Sequence, residues 1–263
     1  MEKSFDFEAY QRGMLERRIE NRMIKTGTKN LENYFFYLQN NSEEPNLLID
    51  NFMIHVSAFF RDPLCFETLS NEILPNIILE KQQKGDKSLR VWSAGCSYGE
   101  EAYSLAILLN ELVLKEKTAM TINVFATDVD SDALRIARRG AYSDESIGNL
   151  KFGLWKKYFT EKEGKHFIVS EIKNVVQFST YDLLDTLSYA PSESVFGDFD
   201  LIVCRNVLIY FNLEFQKHIF SKLYKSLKPN GILMLGKAEV PVIQYNEKFK
   251  NIAKHCKIYK KNH

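Results

Sequence analysis

The sequence predicts an α/β protein: a doubly wound, mostly parallel sheet preceded by an all-α region. Three observations carry this. Up to about residue 85 apolar residues recur at helical spacing and no convincing strand is present. From residue 88 onward short strand-like runs alternate with amphipathic helices, the pattern of parallel βαβ units. One insert, at about 141–175, interrupts that alternation.

The elements follow in order. Asp6 is placed to cap a helix through YQRGMLERRIENRMIK that stops near Gly27. Leu15, Ile19 and Met23 give it one buried stripe. Asn30 caps LENYFFYLQ, and Pro45 opens NLLIDNFMI. HVSAFFRDP is a break ending in Asp62-Pro63, and the helical stretch after it closes at Gly85. Then come the strand LRVWSA, the turn GCSYG, the helix EEAYSLAILLNELVL and a second strand TINVFATD. SDALRIARRG is a helix, and NVVQFSTYDL a third strand. FDLIVCRNVLIYF holds a fourth strand, EFQKHIFSKLYKSLK is an amphipathic helix, and GILMLGKAE is a fifth strand. FKNIAKHCKIYKK is a candidate for a last one. The insert contains KKYFTEKEGKHFIVSEI, which reads as a small hairpin around Gly164, a substrate- or partner-facing piece.

Bulk properties exclude several classes. The 263 residues are 45% hydrophobic and 26% charged, with a net charge of +1, so no overall bias toward nucleic acid or membrane exists. No apolar run approaches the ~20 residues of a membrane-spanning helix. The N-terminus MEKSFDFEAYQRG lacks the apolar core of a signal peptide. Cys65, Cys96, Cys204 and Cys256 form no CxxC pair, which argues against a metal site and against a disulfide framework. The expectation is a cytoplasmic protein with reduced thiols.

Open α/β sheets bind ligands at the carboxyl ends of their strands. The first end carries Gly95-Cys-Ser-Tyr-Gly99, where glycine lets a ligand approach the backbone. Glu100 and Glu101 follow. Two carboxylates there repel a pyrophosphate and suit a cationic ligand such as S-adenosylmethionine; alternatively, both only complement the helix dipole. The second end is Asp128, able to accept from both ribose hydroxyls, with Asp130 as competitor or helix cap. The third is Tyr181-Asp182-Leu183, with Asp182 placed for an adenine amino group. The fourth is Cys204-Arg205-Asn206-Val207. Four suitable ends in succession point to a nucleoside cofactor.

The chain resembles the chemotaxis receptor methyltransferases called CheR. The resemblance covers nearly the whole chain and rests on ERRIENRM, SAFFRDP, VWSAGCSYGEEAYS, ATDVD, CRNVLIYF and GKAE. It implies a Rossmann-like class I S-adenosylmethionine-dependent methyltransferase domain (69–263) with a small inserted β-subdomain, after a helical N-terminal domain (1–68). It implies transfer of a methyl group to glutamate side chains of a chemoreceptor's helical cytoplasmic bundle, with S-adenosylhomocysteine as product. By matched motif it puts an essential arginine at Arg61 and an active-site tyrosine at Tyr210. It puts cofactor contacts at Ser57, Gly95, Glu100, Asp128, Asn206 and Val207. His55 and Asp182 stand where asparagine is common, Ser57 where threonine is usual, and Lys237-Ala238 where histidine-serine is usual.

The chemistry is consistent with that resemblance. A glutamate acceptor ordinarily titrates at about 4.3 and is already ionised at neutral pH, so no general base is needed. Arg61 can hold the acceptor carboxylate in a bidentate fork. Without the motif, a salt bridge to Asp62 is the plainer role for Arg61. Arg18, Arg22, Lys25 and Lys29 recur along the first helices, in a stretch with six basic and two acidic residues. Such a stripe suits an acidic receptor bundle, or is simply a solvated face. The inserted hairpin is short, so dependence on a tethering receptor peptide is not expected, and the protein reads as a monomer. Competing readings are a methyltransferase of the same fold with another acceptor, an NAD-dependent oxidoreductase, and a non-catalytic cofactor-binding module. The absent GxGxxG and the Glu100-Glu101 pair disfavour the oxidoreductase; Arg61 and Tyr210 disfavour the binding module.

Overall fold

A computed structural model describes residues 6–53, 56–195 and 197–262. Three helices come first: α1 (Arg12–Thr26), α2 (Leu31–Asn40) and α3 (Glu44–Phe52). Their cluster centres on Tyr34, Leu48 and Phe52, with Leu15, Ile19 and Met23 of the α1 stripe packed against it. Asn30 caps α2 through a 2.8 Å bond from the Asn33 N–H. Gly27, in the left-handed region at φ 70°, ends α1 as expected. The expected start of α1 is corrected. Asp6 caps only a short turn (Phe7–Ala9), and α1 begins at Arg12 because Tyr10 is extended and bridges to Phe211.

Helix α4 (Pro63–Thr68) runs through one π-helical turn into α5 (Leu74–Gln83). Pro75 lies just beyond that turn and has no N–H for the ladder. Then follow β1 (Ser88–Ala94), α6 (Glu100–Lys115), β2 (Thr121–Asp128) and α7 (Ser131–Arg139). The insert holds β3 (Ala141–Tyr142), α8 (Asp144–Ile147), α9 (Phe152–Tyr158), β4 (Phe159–Lys162), β5 (Lys165–Ile168) and α10 (Ser170–Lys173). Next are β6 (Val176–Thr180), β7 (Phe199–Cys204), α11 (Leu213–Ser226), β8 (Leu227–Leu235), β9 (Phe249–Ala253) and β10 (Ile258–Lys261).

Seven strands form one sheet in the order β6-β2-β1-β7-β8-β10-β9. The first five are mutually parallel, and β10 and β9 close the edge antiparallel. The C-terminal segment therefore supplies two strands where one was foreseen. Side chains alternate between two covered faces: Leu201 and Val203 of β7 enter one core, and Ile202 and Cys204 the other. The first core also takes in Phe59, Phe60, Cys65 and Phe66, which lie ahead of residue 69. The insert is a small sheet, β3-β5-β4, whose hairpin turns on Glu163 and Gly164, both at positive φ. Strand order reverses between β1 and β7, so the strand ends flanking that point define the ligand-binding edge.

Arg22 does not belong to a solvent-facing stripe. Its guanidinium grips Glu44 with bonds of 2.9 and 2.6 Å, and the Tyr34 hydroxyl donates to the same carboxylate at 2.7 Å. Glu44 is 1% exposed. The fork from Arg22, joined by Tyr34, holds the Glu44 carboxyl below the usual range against the opposing effect of burial. A lowered folded-state pKa gives stability that is complete above the unfolded value, about 4.3, and lost as pH falls through the folded one. Urea denaturation should therefore show Arg22→Ala losing about 3–5 kcal/mol at neutral pH, because it strands a buried carboxylate. The wild type should weaken below about pH 4.3, and Glu44→Gln should lack that dependence.

Candidate active site

A cleft of about 1090 Å³, open mouth included, gathers the strand ends at the switch point. Its floor is the turn after β1. The N–H groups of Gly95 and Cys96 both donate to the Thr127 carbonyl, at 2.8 and 2.9 Å, which ties the turn to β2. Gly95 sits at φ 77°, and a Cβ there would lie 2.4 Å from Val207 Cγ2. Only glycine allows the two loops to meet this closely.

Asp128 lines the cleft at the end of β2, with Oδ2 accepting from Ser97 N–H at 2.8 Å and Oδ1 from Asp130 N–H at 3.0 Å. These bonds fix the carboxylate plane. Asp130 instead caps α7 by accepting from Asp132 N–H at 2.9 Å and does not line the cleft. Asp182 and Leu183 line the wall nearby, and Asp182 Oδ1 accepts from Leu184 N–H at 2.8 Å. Ser57, Arg61, Asn206, Val207 and Tyr210 complete the foreseen set. His55 lies outside the described residues.

Glu100 departs from expectation. It is 2% exposed and lies off the cleft, where its charge acts on the Tyr142 and Tyr98 phenols. Glu101 faces the cleft instead, because one residue along a helix turns a side chain by about 100°. Its Oε1 accepts from Ser93 Oγ at 2.9 Å, and its Oε2 lies 3.5 Å from Arg205 Nη1. Burial raises the Glu101 pKa, opposed by the Arg205 charge and the Ser93 bond.

The loop carrying Arg61 is strained. Phe60 and Asp62 both hold positive φ, 50° and 64°, a region costly to residues with side chains. The strain is held by partners on every side. Phe60 N–H donates to Ser104 Oγ at 2.9 Å, and Arg61 Nη1 donates to the Val56 carbonyl at 2.9 Å. Asp62 Oδ2 pairs with Arg205 and its Oδ1 with Lys237. Asp62 thus serves two other cations, and its carboxylate is not the partner of Arg61. Lys237, whose role the sequence left open, stands at the solvent end of this chain of charges.

Glu239 holds the opposite loop. Its Oε2 accepts from the N–H groups of Asn206 (2.9 Å) and Gly236 (2.7 Å). Its Oε1 accepts from Val207 (2.9 Å), Leu208 (2.8 Å) and, more distantly, Ile209 (3.3 Å). One buried carboxylate thereby satisfies five backbone donors and forces the turn, with Asn206 at φ 59°. Tyr210 follows at its end. Burial raises the Tyr210 phenol pKa, while the charges of Arg61, Arg18 and Arg17 draw it down. Sequence reasoning missed Tyr10 and Phe211 as cleft residues, offered Glu101 only as one of a pair and Arg205 only as part of a strand end, and gave Glu239 no role. Of these, Tyr10 alone stood outside every recognised motif; the others were in view without a side-chain direction.

These residues fit S-adenosylmethionine. Asp128 and Asp182 offer acceptors, Val129, Leu183 and Phe211 offer apolar cover, and Glu101 places a carboxylate near the turn.

Similarity to known proteins extends along nearly the whole chain. The family model described as CheR methyltransferase, SAM binding domain, matches residues 55–258, and that for the CheR all-alpha domain matches residues 3–53. A chemotaxis protein methyltransferase of Borreliella burgdorferi is 33% identical over 229 residues, covering 86% of this chain and 79% of that protein. One from Listeria innocua is 33% identical over 238 residues, covering 89% and 84%. An uncharacterized 104.1 kDa protein of Rhodobacter capsulatus is 31% identical over 97% of this chain, which spans 26% of that longer protein.

Calorimetry with S-adenosylhomocysteine should separate the two aspartates. Asp128→Ala should weaken binding about ten- to a hundredfold, the loss of a charged hydrogen-bond acceptor. Asp130→Ala should cost about 1 kcal/mol of stability through its lost cap and leave affinity within about twofold.

Proposed function

Because the chain belongs to the CheR family of S-adenosylmethionine-dependent methyltransferases, we propose that it methylates glutamate side chains on the helical cytoplasmic bundle of a methyl-accepting chemoreceptor. The observation that carries this is the placement of Arg61 and Tyr210 on the same cleft as Asp128. This arrangement offers a cation to an incoming carboxylate and acceptors to a nucleoside.

The cofactor, when bound, supplies an electrophilic methyl group on sulfonium. Everything else falls to the chain. The acceptor carboxylate arrives ionised and needs no base. Arg61 holds it in a fork and aims one oxygen at the methyl carbon, while the Val56 carbonyl fixes the guanidinium. Tyr210 donates a hydrogen bond at the rim; its phenol is protonated at neutral pH and burial only raises its pKa further. The products are a glutamate methyl ester and S-adenosylhomocysteine.

Recognition of the receptor falls to the helical N-terminal domain through Arg17, Arg18, Lys25 and Lys29, now without Arg22. Arg17, Lys25 and Lys29 are exposed, and such a face attracts an acidic bundle. The inserted hairpin has four residues in each strand, little surface for a tethering peptide, so catalysis proceeds without one. Among the described residues no helix is long and apolar enough to cross a membrane.

The test is transfer of a tritiated methyl group to receptor cytoplasmic fragments, with release of labelled methanol in base. Arg61→Ala should abolish transfer, at least about a hundredfold, while S-adenosylhomocysteine binding stays within about threefold, the signature of a positioning role. Base-stable label would rule out a carboxyl ester.

A further inference from the structure

The segment before α1 lies across the cofactor cleft. Ala9 is fully buried, and its carbonyl accepts from Asn212 N–H at 2.9 Å. Asn212 Nδ2 donates to the Glu8 carbonyl at 2.7 Å, and Gln11 N–H donates to the Tyr210 carbonyl at 2.8 Å. Tyr10 forms an antiparallel bridge with Phe211, and the two rings lie 5.0 Å apart at 38°. Residues 7–11 are therefore a strap, stitched to the loop that carries Tyr210.

Both rings line the cleft. The phenol of Tyr10 lies within the electrostatic reach of Asp182 and Asp128, which together with burial raise its pKa. Those two carboxylates are the acceptors assigned to adenine and ribose. Phe52 and Met53, at the end of α3, line the same cleft. An aromatic face and a hydroxyl thus stand close to the two carboxylates that mark the nucleoside half of the cleft.

We infer that Tyr10 is a nucleoside-binding residue, and that the strap 7–11 closes over the adenosine half of S-adenosylmethionine. The inference rests on the cleft being the cofactor site. It adds a physical link between the two ligands. The strap runs directly into α1 at Arg12, so ordering it on the cofactor also restrains the basic helix that meets the acceptor. Ligand-dependent ordering of a shared element couples two sites reciprocally.

The experiment uses the full chain and two probes: S-adenosylhomocysteine, and 5′-methylthioadenosine, which lacks the amino-acid half. In calorimetry Tyr10→Ala should weaken both by the same factor, about tenfold, and Tyr10→Phe should stay within about threefold because the ring supplies most of the cover. In the wild type, S-adenosylhomocysteine should slow hydrogen exchange at the Gln11 and Asn212 amides. Unchanged affinity in Tyr10→Ala, or a loss confined to S-adenosylhomocysteine, overturns the assignment. So does unchanged exchange at those two amides. A wild type that binds neither probe removes the premise, and with it the proposal.

Discussion

The site depends on one buried carboxylate. Glu239 is 4% exposed and collects five backbone N–H groups from residues 206–209 and 236. Without it, those donors would be buried and unsatisfied, each at about 1–3 kcal/mol. With it, a loop that has almost no ladder of its own becomes rigid. That loop contributes Asn206, Val207 and Tyr210 to the cleft and takes the strap through Tyr210 and Phe211. Gly236 is part of the same device, since a Cβ there would lie 2.7 Å from Glu239 Oε2.

The facing loop is held by charge rather than by backbone capture. Asp62 is clamped by Arg205 and Lys237, and Arg205, 2% exposed, reaches back to Glu101. The chain of charges joins elements that are remote in sequence and converge at the switch point. It stabilises two positive-φ residues on either side of Arg61. Preorganisation of this kind matters for methyl transfer, because the protein has only alignment to offer once the acceptor is ionised.

Much of the fold was legible. Hydrophobic period separated the helical region from the alternating one, and the positions of Gly27, Asn30 and Pro45 marked helix ends. The order of strands was not legible, because parallel pairing joins residues far apart and leaves no local trace. At the site, motif and strand-end reasoning named Arg61, Asp128, Asp182 and Tyr210, all of which line the cleft. It named Glu100 and Glu101 together, and one residue of helical phase puts Glu101 rather than Glu100 on the cleft. It failed for Arg22, whose partner Glu44 lies twenty-two residues away and looks equally solvated in sequence. Glu239 was hidden for another reason: its role runs through backbone groups of a distant loop, and backbone has no signature in composition.

The account is most directly tested on Glu239→Gln. The amide nitrogen then faces backbone donors where a carboxylate oxygen accepted, so at least two N–H groups lose their partner while side-chain volume is kept. Amide hydrogen exchange should quicken at 206–209 and 236, remain unchanged in β1 and β2, and accompany a fall in S-adenosylhomocysteine affinity of about tenfold or more. Unchanged protection at those five amides with unchanged affinity would contradict the central claim that this carboxylate builds the site.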